Sequence, residues 1–210
     1  MTTLDAVYQN VLEGNLAGTA DEVGKAIDAG VAPEEILQSL TAGITEVGRK
    51  FEIGEYFVPE MMIAARAMQN AMAILKPKLV AVGAKPIGKV VIGTVQGDLH
   101  DVGKNIVSMM LEGVGFEIVD LGTNVSTEQF IQAVQETEAQ VVAFSALLTT
   151  TMSEIGVSIE ALKQKGLRDN VTVMVGGAPI TQSFADKVGA DIYASDGSAA
   201  AREAKQAMAA

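Results

Sequence analysis

Cysteine and tryptophan are absent from the 210 residues of this chain, and histidine occurs once. The lack of cysteine excludes disulfides, iron–sulfur clusters and zinc sites with thiolate ligands. Basic residues are outnumbered by acidic ones, 15 to 26, for a formal net charge of −11, so we expect no surface for nucleic-acid phosphates. No run approaches the ~18 apolar residues of a membrane span, and the first residues lack a signal-peptide pattern. We therefore expect a cytoplasmic protein that binds neither nucleic acid nor membrane.

Hydrophobic residues make up 49% of the chain, which is enough to build cores. Between residues 4 and 79 they recur at helical spacing, with interruptions at glycine and proline. This spacing predicts a small bundle of four helices at Leu4–Glu13, Thr19–Ala29, Pro33–Lys50 and Val58–Lys78.

The pattern changes after Gly88 to short β-branched runs that alternate with amphipathic stretches, which is typical of βαβ units and a parallel sheet. Ser126 and Gln129 fit a capping box at the start of one of the intervening helices. The predicted fold class is α/β, with a flavodoxin-like (Rossmann-like), doubly wound parallel sheet of five strands. The strands are expected at Lys89–Val95, Phe116–Asp120, Gln140–Phe144, Val171–Val175 and Ile192–Ala194, and the helices near Val102, Ser126, Thr151, Thr181 and Ser198.

The two patterns predict two domains. The helical domain is expected over residues 1–80 and the α/β domain over residues 89–210. Residues 81–88 form the expected linker, and the residues that mark it are Pro77, Gly83, Pro86 and Gly88.

Three loops are expected to meet at one edge of the sheet, because ligands of doubly wound folds bind beyond the carboxyl ends of the strands. Residues 96–101 contain Asp98 and His100, residues 145–151 are rich in hydroxyl groups, and residues 176–179 begin with two glycines. Hydroxyl groups suit a polar ligand, and paired glycines leave room near the backbone. Each loop alone could be a helix cap or a turn, but their convergence favours a binding site.

The single histidine, His100, is a candidate metal ligand. A neutral imidazole is the commonest side-chain ligand of metals, and its second nitrogen usually donates to a carboxylate that orients the ring. Asp98 lies two residues away in a tight loop and is close enough to do this. A solvated or structural histidine is the alternative, which this pair alone does not exclude.

Other ligands known for such folds fit these loops less well. A phosphoryl-receiver domain needs an aspartate after the third strand, where this chain has Ser145. A flavodoxin would need a hydroxyl-rich first loop and aromatic residues beside the flavin. In this chain the first loop is acidic, and aromatic residues make up only 4% of the sequence. A dinucleotide site would need a G-x-G-x-x-G turn after the first strand, and the spacing of Gly97 and Gly103 does not fit this pattern. A metal-bearing cofactor that uses all three loops remains.

Residues 97–105, GDLHDVGKN, have the Asp-x-His-x-x-Gly form that resembles the cobalamin-binding motif. Ser145-x-Leu147 and Gly176-Gly177 resemble the other two parts of that signature. In the helical half, residues 47–60, VGRKFEIGEYFVPE, are similar to the cap module of methyl-transferring corrinoid proteins. Over essentially its whole length the chain resembles corrinoid proteins of the methanol, methylamine and methoxy-aromatic methyltransferase systems, and the cobalamin-binding region of methionine synthase.

The resemblance implies a role for each matching residue. His100 would be the lower axial ligand of cobalt, in place of the cofactor's own benzimidazole, with Asp98 and Thr151 as its hydrogen-bonded relay. Phe51, Val58 and Met61 would cover the upper face from the helical cap domain, although a bundle core would use the same residue types. The implied cofactor-binding residues are Gly93, Asp98, His100, Asp101, Gly103, Ser145, Leu147, Thr149, Gly176, Gly177, Tyr193, Ala194 and Asp196.

The function implied is that of a methyl carrier without a catalytic site of its own. Its cofactor would be cobalamin or a related corrinoid, with methylcobalamin as the loaded form. Its partners would be a substrate-specific methyltransferase, a second methyltransferase that delivers the methyl group to coenzyme M or tetrahydrofolate, and a reductive activase. Two alternatives stay open, a cobalamin-dependent sensor module and the cobalamin-binding subunit of a mutase.

Overall fold

The first part of the chain folds into four helices, as the apolar spacing predicts. We describe residues 2–209 from a computed structural model. Thr2 and Asp5 form a capping box at the start of the first helix. The second helix begins three residues earlier than predicted, because the Asn15 side chain accepts a hydrogen bond from the backbone N–H of Gly18. The helices are α1 Thr3–Leu12, α2 Leu16–Asp28, α3 Pro33–Glu52 and α4 Val58–Ala81.

The prediction that Pro77 marks the linker was wrong, since this residue lies inside α4. A proline removes one helical hydrogen bond but leaves those that follow it intact, so the helix continues to Ala81. The chain then leaves the helix at Gly83, whose φ of +76° is unfavourable for residues with a side chain. The first compact unit ends at Pro86 and also includes Glu112–Gly115.

The second unit comprises Ile87–Leu111 and the chain from Phe116 onward. Its five strands are parallel and lie in the order β2-β1-β3-β4-β5, which confirms the flavodoxin-like prediction. The strands are β1 Lys89–Thr94, β2 Glu117–Asp120, β3 Val141–Ser145, β4 Thr172–Gly176 and β5 Ile192–Ala194.

The helices of this unit begin within one residue of the predicted positions. The predicted capping box is present, because Ser126 and Gln129 each accept a hydrogen bond from the other's backbone N–H. The helices are α5 Val102–Gly113, α6 Thr127–Thr137, α7 Met152–Gln164, α8 Gln182–Val188 and α9 Gly197–Ala209, with a 3₁₀ turn at Arg168–Asn170.

One side of the sheet is closed by a continuous apolar core. Alternate residues of β1, β3 and β4 pack there against α6 and α7, and the rings of Phe130 and Phe144 lie 4.6 Å apart. A side chain at Gly93 would come within 2.8 Å of the Phe130 ring, so close packing explains this glycine. None of the helices described over residues 2–209 has the length and apolar character to cross a membrane.

The register of the sheet aligns the carboxyl ends of four strands. Thr94 pairs with Ser145, Ser145 with Gly176, and Gly176 with Ala194. The loops that follow β1, β3 and β4 therefore begin side by side at one edge. This is the convergence on which the predicted site depends.

Candidate functional site

A buried carboxylate connects the first two loops. The Asp98 side chain is fully buried and accepts five hydrogen bonds. Its Oδ1 accepts from the backbone N–H of His100 at 3.1 Å and from the His100 ring at 2.7 Å. Its Oδ2 accepts from the backbone N–H groups of Leu147 at 2.7 Å and Leu148 at 3.1 Å, and from the Thr151 hydroxyl at 2.9 Å. Asp98 thus ties the loop after β1 to the loop after β3.

These donors keep Asp98 ionised. Burial alone raises the pKa of its carboxyl group, because the charged form loses its hydration. The hydrogen bonds from the backbone of Leu147, from His100 and from Thr151 outweigh burial and hold the pKa of Asp98 well below its ordinary range. Asp98 is therefore a carboxylate at neutral pH and can only accept hydrogen bonds.

His100 is held by one ring nitrogen and open at the other. Because Asp98 is an acceptor only, Nδ1 of His100 must donate the 2.7 Å hydrogen bond. In the neutral ring the lone pair then lies on Nε2, and no partner for Nε2 is found among residues 2–209. The side chain is 51% exposed. The arrangement presents a fixed nitrogen donor to something outside the loop.

Thr151 provides the hydroxyl group of the relay that the resemblance implies, from His100 through Asp98 to Thr151. Thr151 is buried, and its Oγ1 lies 2.9 Å from Asp98 Oδ2 and 2.9 Å from the carbonyl oxygen of Leu148. The hydroxyl has one proton and can donate it to only one of these two oxygens at a time.

Large hydrophobic side chains are exposed on both sides of the connection that Asp98 makes between its own loop and the loop after β3. Leu99 is 73% exposed and Val102 is 63% exposed, although both are large hydrophobic residues. Leu147 and Leu148, whose backbone binds Asp98, are also about two-fifths exposed, at 40% and 41%. Large exposed apolar patches usually mark binding surfaces. The surface around the imidazole is therefore suited to a ligand that is itself largely apolar.

The structure explains some of the glycines of the predicted site but not all of them. A side chain at Gly177 would come 1.9 Å from the carbonyl oxygen of Ala146, and its φ of +130° also requires glycine. A side chain at Gly176 would come 3.1 Å from the carbonyl oxygen of Ala194. Gly103 is the exception. It lies in the first turn of α5, has no neighbour within 4 Å of a side-chain position and has no positive φ. The chain itself does not require glycine there.

The remaining implied cofactor-binding residues lie in several environments. Ser145 and Tyr193 are partly buried, Ala194 is buried and Thr149 is exposed. Asp196 caps α9, because its carboxylate accepts hydrogen bonds from the backbone of Ala199 and from the Ser195 hydroxyl. The exposed Asp101 accepts a 3.3 Å hydrogen bond from Asn105.

The predicted cap residues lie around the connection between α3 and α4. Phe51 is partly buried and Val58 is 44% exposed, whereas Met61 is 2% exposed. The assignment of all three residues to the cap rests on the sequence resemblance, and Met61 has almost no exposed surface. Phe57, which the sequence analysis did not select, is 64% exposed in the same connection.

Sequence reasoning did not select three polar residues next to the His100 loop, Thr94, Asn124 and Lys104. Thr94 and Asn124 bind the backbone of the loop. Lys104 is buried in α5, and its ammonium group donates to Asp120 and Asn105. A threonine at the end of an apolar strand and a lysine directly after the Asp-x-His-x-x-Gly motif were the available signals.

Comparison with known proteins places the chain in a family. The family model for B12 binding domains matches residues 88–205, and a second model of the same description matches residues 3–76. The chain is 43% identical over 212 residues to dimethylamine corrinoid protein 3 of Methanosarcina acetivorans, covering 99% of this chain and 100% of the relative. It is 45% identical over 194 residues to the trimethylamine corrinoid protein of Methanosarcina barkeri, covering 90% and 89%.

Solved structures lead to the same family. A chain of the methanol:cobalamin methyltransferase complex from Methanosarcina barkeri is similar with a TM-score of 0.86 and 29% identity, over 99% of this chain and 80% of that chain. A cobalamin-binding protein from Desulfitobacterium hafniense is similar with a TM-score of 0.83 and 32% identity, over 97% of each chain. The chain therefore belongs to the B12-binding corrinoid proteins of methyltransferase systems.

Proposed function

We propose that this protein binds cobalamin or a related corrinoid with the cofactor's own base displaced and His100 in its place, and that it carries a methyl group between two methyltransferases. The observation that carries the proposal is the half-exposed imidazole of His100, whose Nδ1 is held by a buried carboxylate while Nε2 is open. A single imidazole donor is what a metal needs when a macrocycle supplies its other ligands.

The residues around His100 fit such a cofactor. Asp98 orients the ring, and the donors on Asp98 Oδ2 hold that carboxylate in place. The exposed leucines at 99, 147 and 148 would exclude water below the macrocycle. When bound, the corrinoid supplies a cobalt ion that accepts and releases a methyl group, with methylcobalamin as the loaded form. The protein's part is to bind, orient and shield.

The slot for the nucleotide tail is proposed along the aligned strand ends. Ser145 and Gly176 are paired in the register and partly buried, and Ala194 follows on β5. The side chains at these positions are small, so an extended group can approach the backbone at this edge of the sheet closely. Phe51 and Val58 are proposed to cover the upper face.

The partners are proposed from the relatives. Because the curated relatives are named as dimethylamine and trimethylamine corrinoid proteins, we propose a methylated amine as the methyl source and a matching methyltransferase as the first partner. A second methyltransferase would pass the methyl group to coenzyme M or tetrahydrofolate, and a reductive activase would restore the cofactor after oxidation. All of these encounters are proposed to take place in the cytoplasm.

Replacing His100 by alanine is expected to remove the axial nitrogen from the bound corrinoid. We would reconstitute the untagged chain with hydroxocobalamin, reduce it to cobalt(II) and record the electron paramagnetic resonance spectrum. The wild type should show splitting by one axial nitrogen, and His100→Ala should not. Because the chain has one histidine, incorporation of isotope-labelled histidine should change this splitting and so distinguish His100 from the cofactor's own base.

Asp169→Asn is the control, because Asp169 is an exposed carboxylate of the same unit that is not among the implied cofactor-binding residues. It should keep the splitting. A spectrum that is the same in wild type and His100→Ala, or one that labelled histidine does not alter, would refute the axial role of His100. Isolation with a methylated rather than an adenosylated corrinoid would separate a methyl carrier from the sensor and mutase alternatives.

Gly103→Ala is expected to weaken corrinoid binding without harming the fold. Nothing lies within 4 Å of the added methyl group, so the corrinoid-free chain should keep its stability or gain up to about 1 kcal/mol from the better helix former. Affinity for hydroxocobalamin, measured by titration of the absorption spectrum, should fall by about tenfold if the cofactor approaches this turn. Gly24 in α2 also has nothing within 4 Å of a side-chain position. Gly24→Ala should therefore change the free energy of unfolding in the same way and leave the affinity for hydroxocobalamin unchanged.

A further inference from the structure

The side chain of Asp98 orients the His100 ring, but two of its five hydrogen bonds come from His100 itself, in the same loop. Those two bonds tie the loop to itself and not to the sheet. The position of the imidazole therefore also depends on what holds the backbone of the axial-ligand loop, which we define as residues 96–101.

Thr94 holds one end of this loop. It is the last residue of β1 and is fully buried. Its backbone N–H donates to Gly122, its carbonyl accepts from Val125, and both of these bonds are 2.9 Å long. Its hydroxyl donates to the carbonyl oxygen of His100 at 2.8 Å. Thr94 thus joins the end of β1 directly to the backbone of His100.

Asn124 holds the other end from the loop after β2. Its backbone N–H donates to the carbonyl oxygen of Asp98 at 2.9 Å, and its Oδ1 accepts from the N–H of Gly97 at 2.8 Å. Asn124 is exposed and has a φ of +54°, a left-handed conformation that glycine adopts with least strain. The conformation alone would favour glycine, so the side-chain acceptor explains asparagine.

We propose that Thr94 and Asn124 are positioning residues for the axial ligand. Together they satisfy three backbone groups of the axial-ligand loop, the N–H of Gly97 and the carbonyl groups of Asp98 and His100. They hold the loop in the conformation in which Asp98 binds Nδ1 and Nε2 has no partner among residues 2–209. This proposal rests on the proposed role of His100 and extends it to residues outside the cobalamin-binding signature.

Three variants separate the contributions. Thr94→Val keeps the shape and loses the hydroxyl. Asn124→Gly keeps the left-handed backbone and loses the acceptor. Asn124→Asp keeps an acceptor at the same place and is the conservative rescue. Thr137→Val is the matched control, since the Thr137 hydroxyl also donates to a backbone carbonyl, that of Ala133, at the end of α6.

The first measurement uses the full chain without corrinoid and without a polyhistidine tag. With isotope-labelled histidine the ring of His100 is the one labelled ring of the chain, and the solvent-exchange rate of its Nδ1–H can be read by nuclear magnetic resonance. Thr94→Val and Asn124→Gly should each exchange about three- to tenfold faster than wild type, as expected for the loss of one hydrogen bond that holds the loop. Asn124→Asp and Thr137→Val should match wild type.

The second measurement uses the chain reconstituted with hydroxocobalamin and reduced to cobalt(II). The ratio of histidine-bound to histidine-free cobalt should fall by a similar factor in Thr94→Val and Asn124→Gly, when a competing concentration of free imidazole makes both forms visible. The proposal would be overturned if Thr94→Val and Asn124→Gly both kept the wild-type exchange rate of Nδ1–H and the wild-type ratio of histidine-bound to histidine-free cobalt. If His100→Ala still lacked the axial nitrogen in that case, the role of His100 would stand. Failure of His100→Ala to change the spectrum would instead refute the proposed function. If Thr94→Val does not fold, Asn124→Gly, an exposed turn variant, decides the test alone.

Discussion

Asp98→Asn is expected to lower the free energy of unfolding of the corrinoid-free chain by about 3 kcal/mol at pH 7. The buried carboxylate accepts hydrogen bonds on both oxygens, two on Oδ1 and three on Oδ2. An asparagine has one acceptor oxygen, and its NH₂ group must face one of these two sets of donors. Whichever way the amide turns, at least one backbone N–H group, that of His100 or those of Leu147 and Leu148, loses its acceptor and meets another donor.

The destabilisation should depend on pH with a definite sign. The pKa of Asp98 is lowered in the fold, so the unfolded chain takes up the proton first as the pH falls. The stabilisation from the carboxylate is therefore complete above the unfolded pKa of about 4 and is lost as the pH falls below it. Chemical denaturation followed by circular dichroism at pH 7, 5 and 3.5 should show a constant difference between wild type and variant at the first two values and a smaller one at the third.

Asp101→Asn provides the matched control for this measurement. Asp101 is exposed and accepts one long hydrogen bond, 3.3 Å from Asn105, so its variant should stay within about 0.5 kcal/mol of wild type. A difference between wild type and Asp98→Asn that is small at pH 7, or that does not shrink in acid, would show that the five hydrogen bonds do not stabilise an ionised carboxylate.

Gly177→Ala is expected to cost about 4 kcal/mol of unfolding free energy, a large part of the stability of a typical domain. The added methyl group would lie 1.9 Å from the carbonyl oxygen of Ala146 and 2.8 Å from its carbonyl carbon. Both are backbone atoms, which cannot rotate away as a flexible side chain could. The φ of +130° adds backbone strain for any residue with a side chain.

Gly166→Ala separates the two causes. Gly166 also has a positive φ, +68°, but nothing lies within 4 Å of a side-chain position. Its variant should cost only the strain of the left-handed backbone, about 1 kcal/mol. Thermal and chemical unfolding of both variants would test the comparison. Equal destabilisation would mean that the contact with Ala146 relaxes and that the glycine pair is not required by packing between the two loops.

The architecture of the α/β unit could be predicted from the sequence because its signals are local. Apolar β-branched runs located the five strands, and the capping box of Ser126 and Gln129 located the start of α6. The end of α4 was harder, since Pro77 looked like a boundary but only removes one hydrogen bond near the end of a long helix. Asn15 capped α2 earlier than the apolar pattern indicated.

The candidate site was predictable in part. The Asp-x-His spacing and the three loops indicated where a ligand would lie, and the hydrogen bonds among His100, Asp98 and Thr151 are present. The reason for Gly177 was not predictable, because its nearest neighbour is the backbone of Ala146 in another loop. Asn124 was missed for a similar reason, since its left-handed backbone and its bond to Gly97 leave no periodic signal.

The sequence by itself determined that this chain has a helical part and a parallel α/β part, and that His100 follows the first strand in a motif shared with cobalamin-binding proteins. Such features depend on the spacing of neighbouring residues, which is legible along the chain. Only the tertiary structure decided that Asp98 is buried under five donors, that Thr94 and Asn124 hold the loop, and that Gly103 is free of neighbours. The decisive contacts join residues as far apart in the chain as Asp98 and Thr151, 53 positions, and they exist only because the parallel register brings the strand ends together.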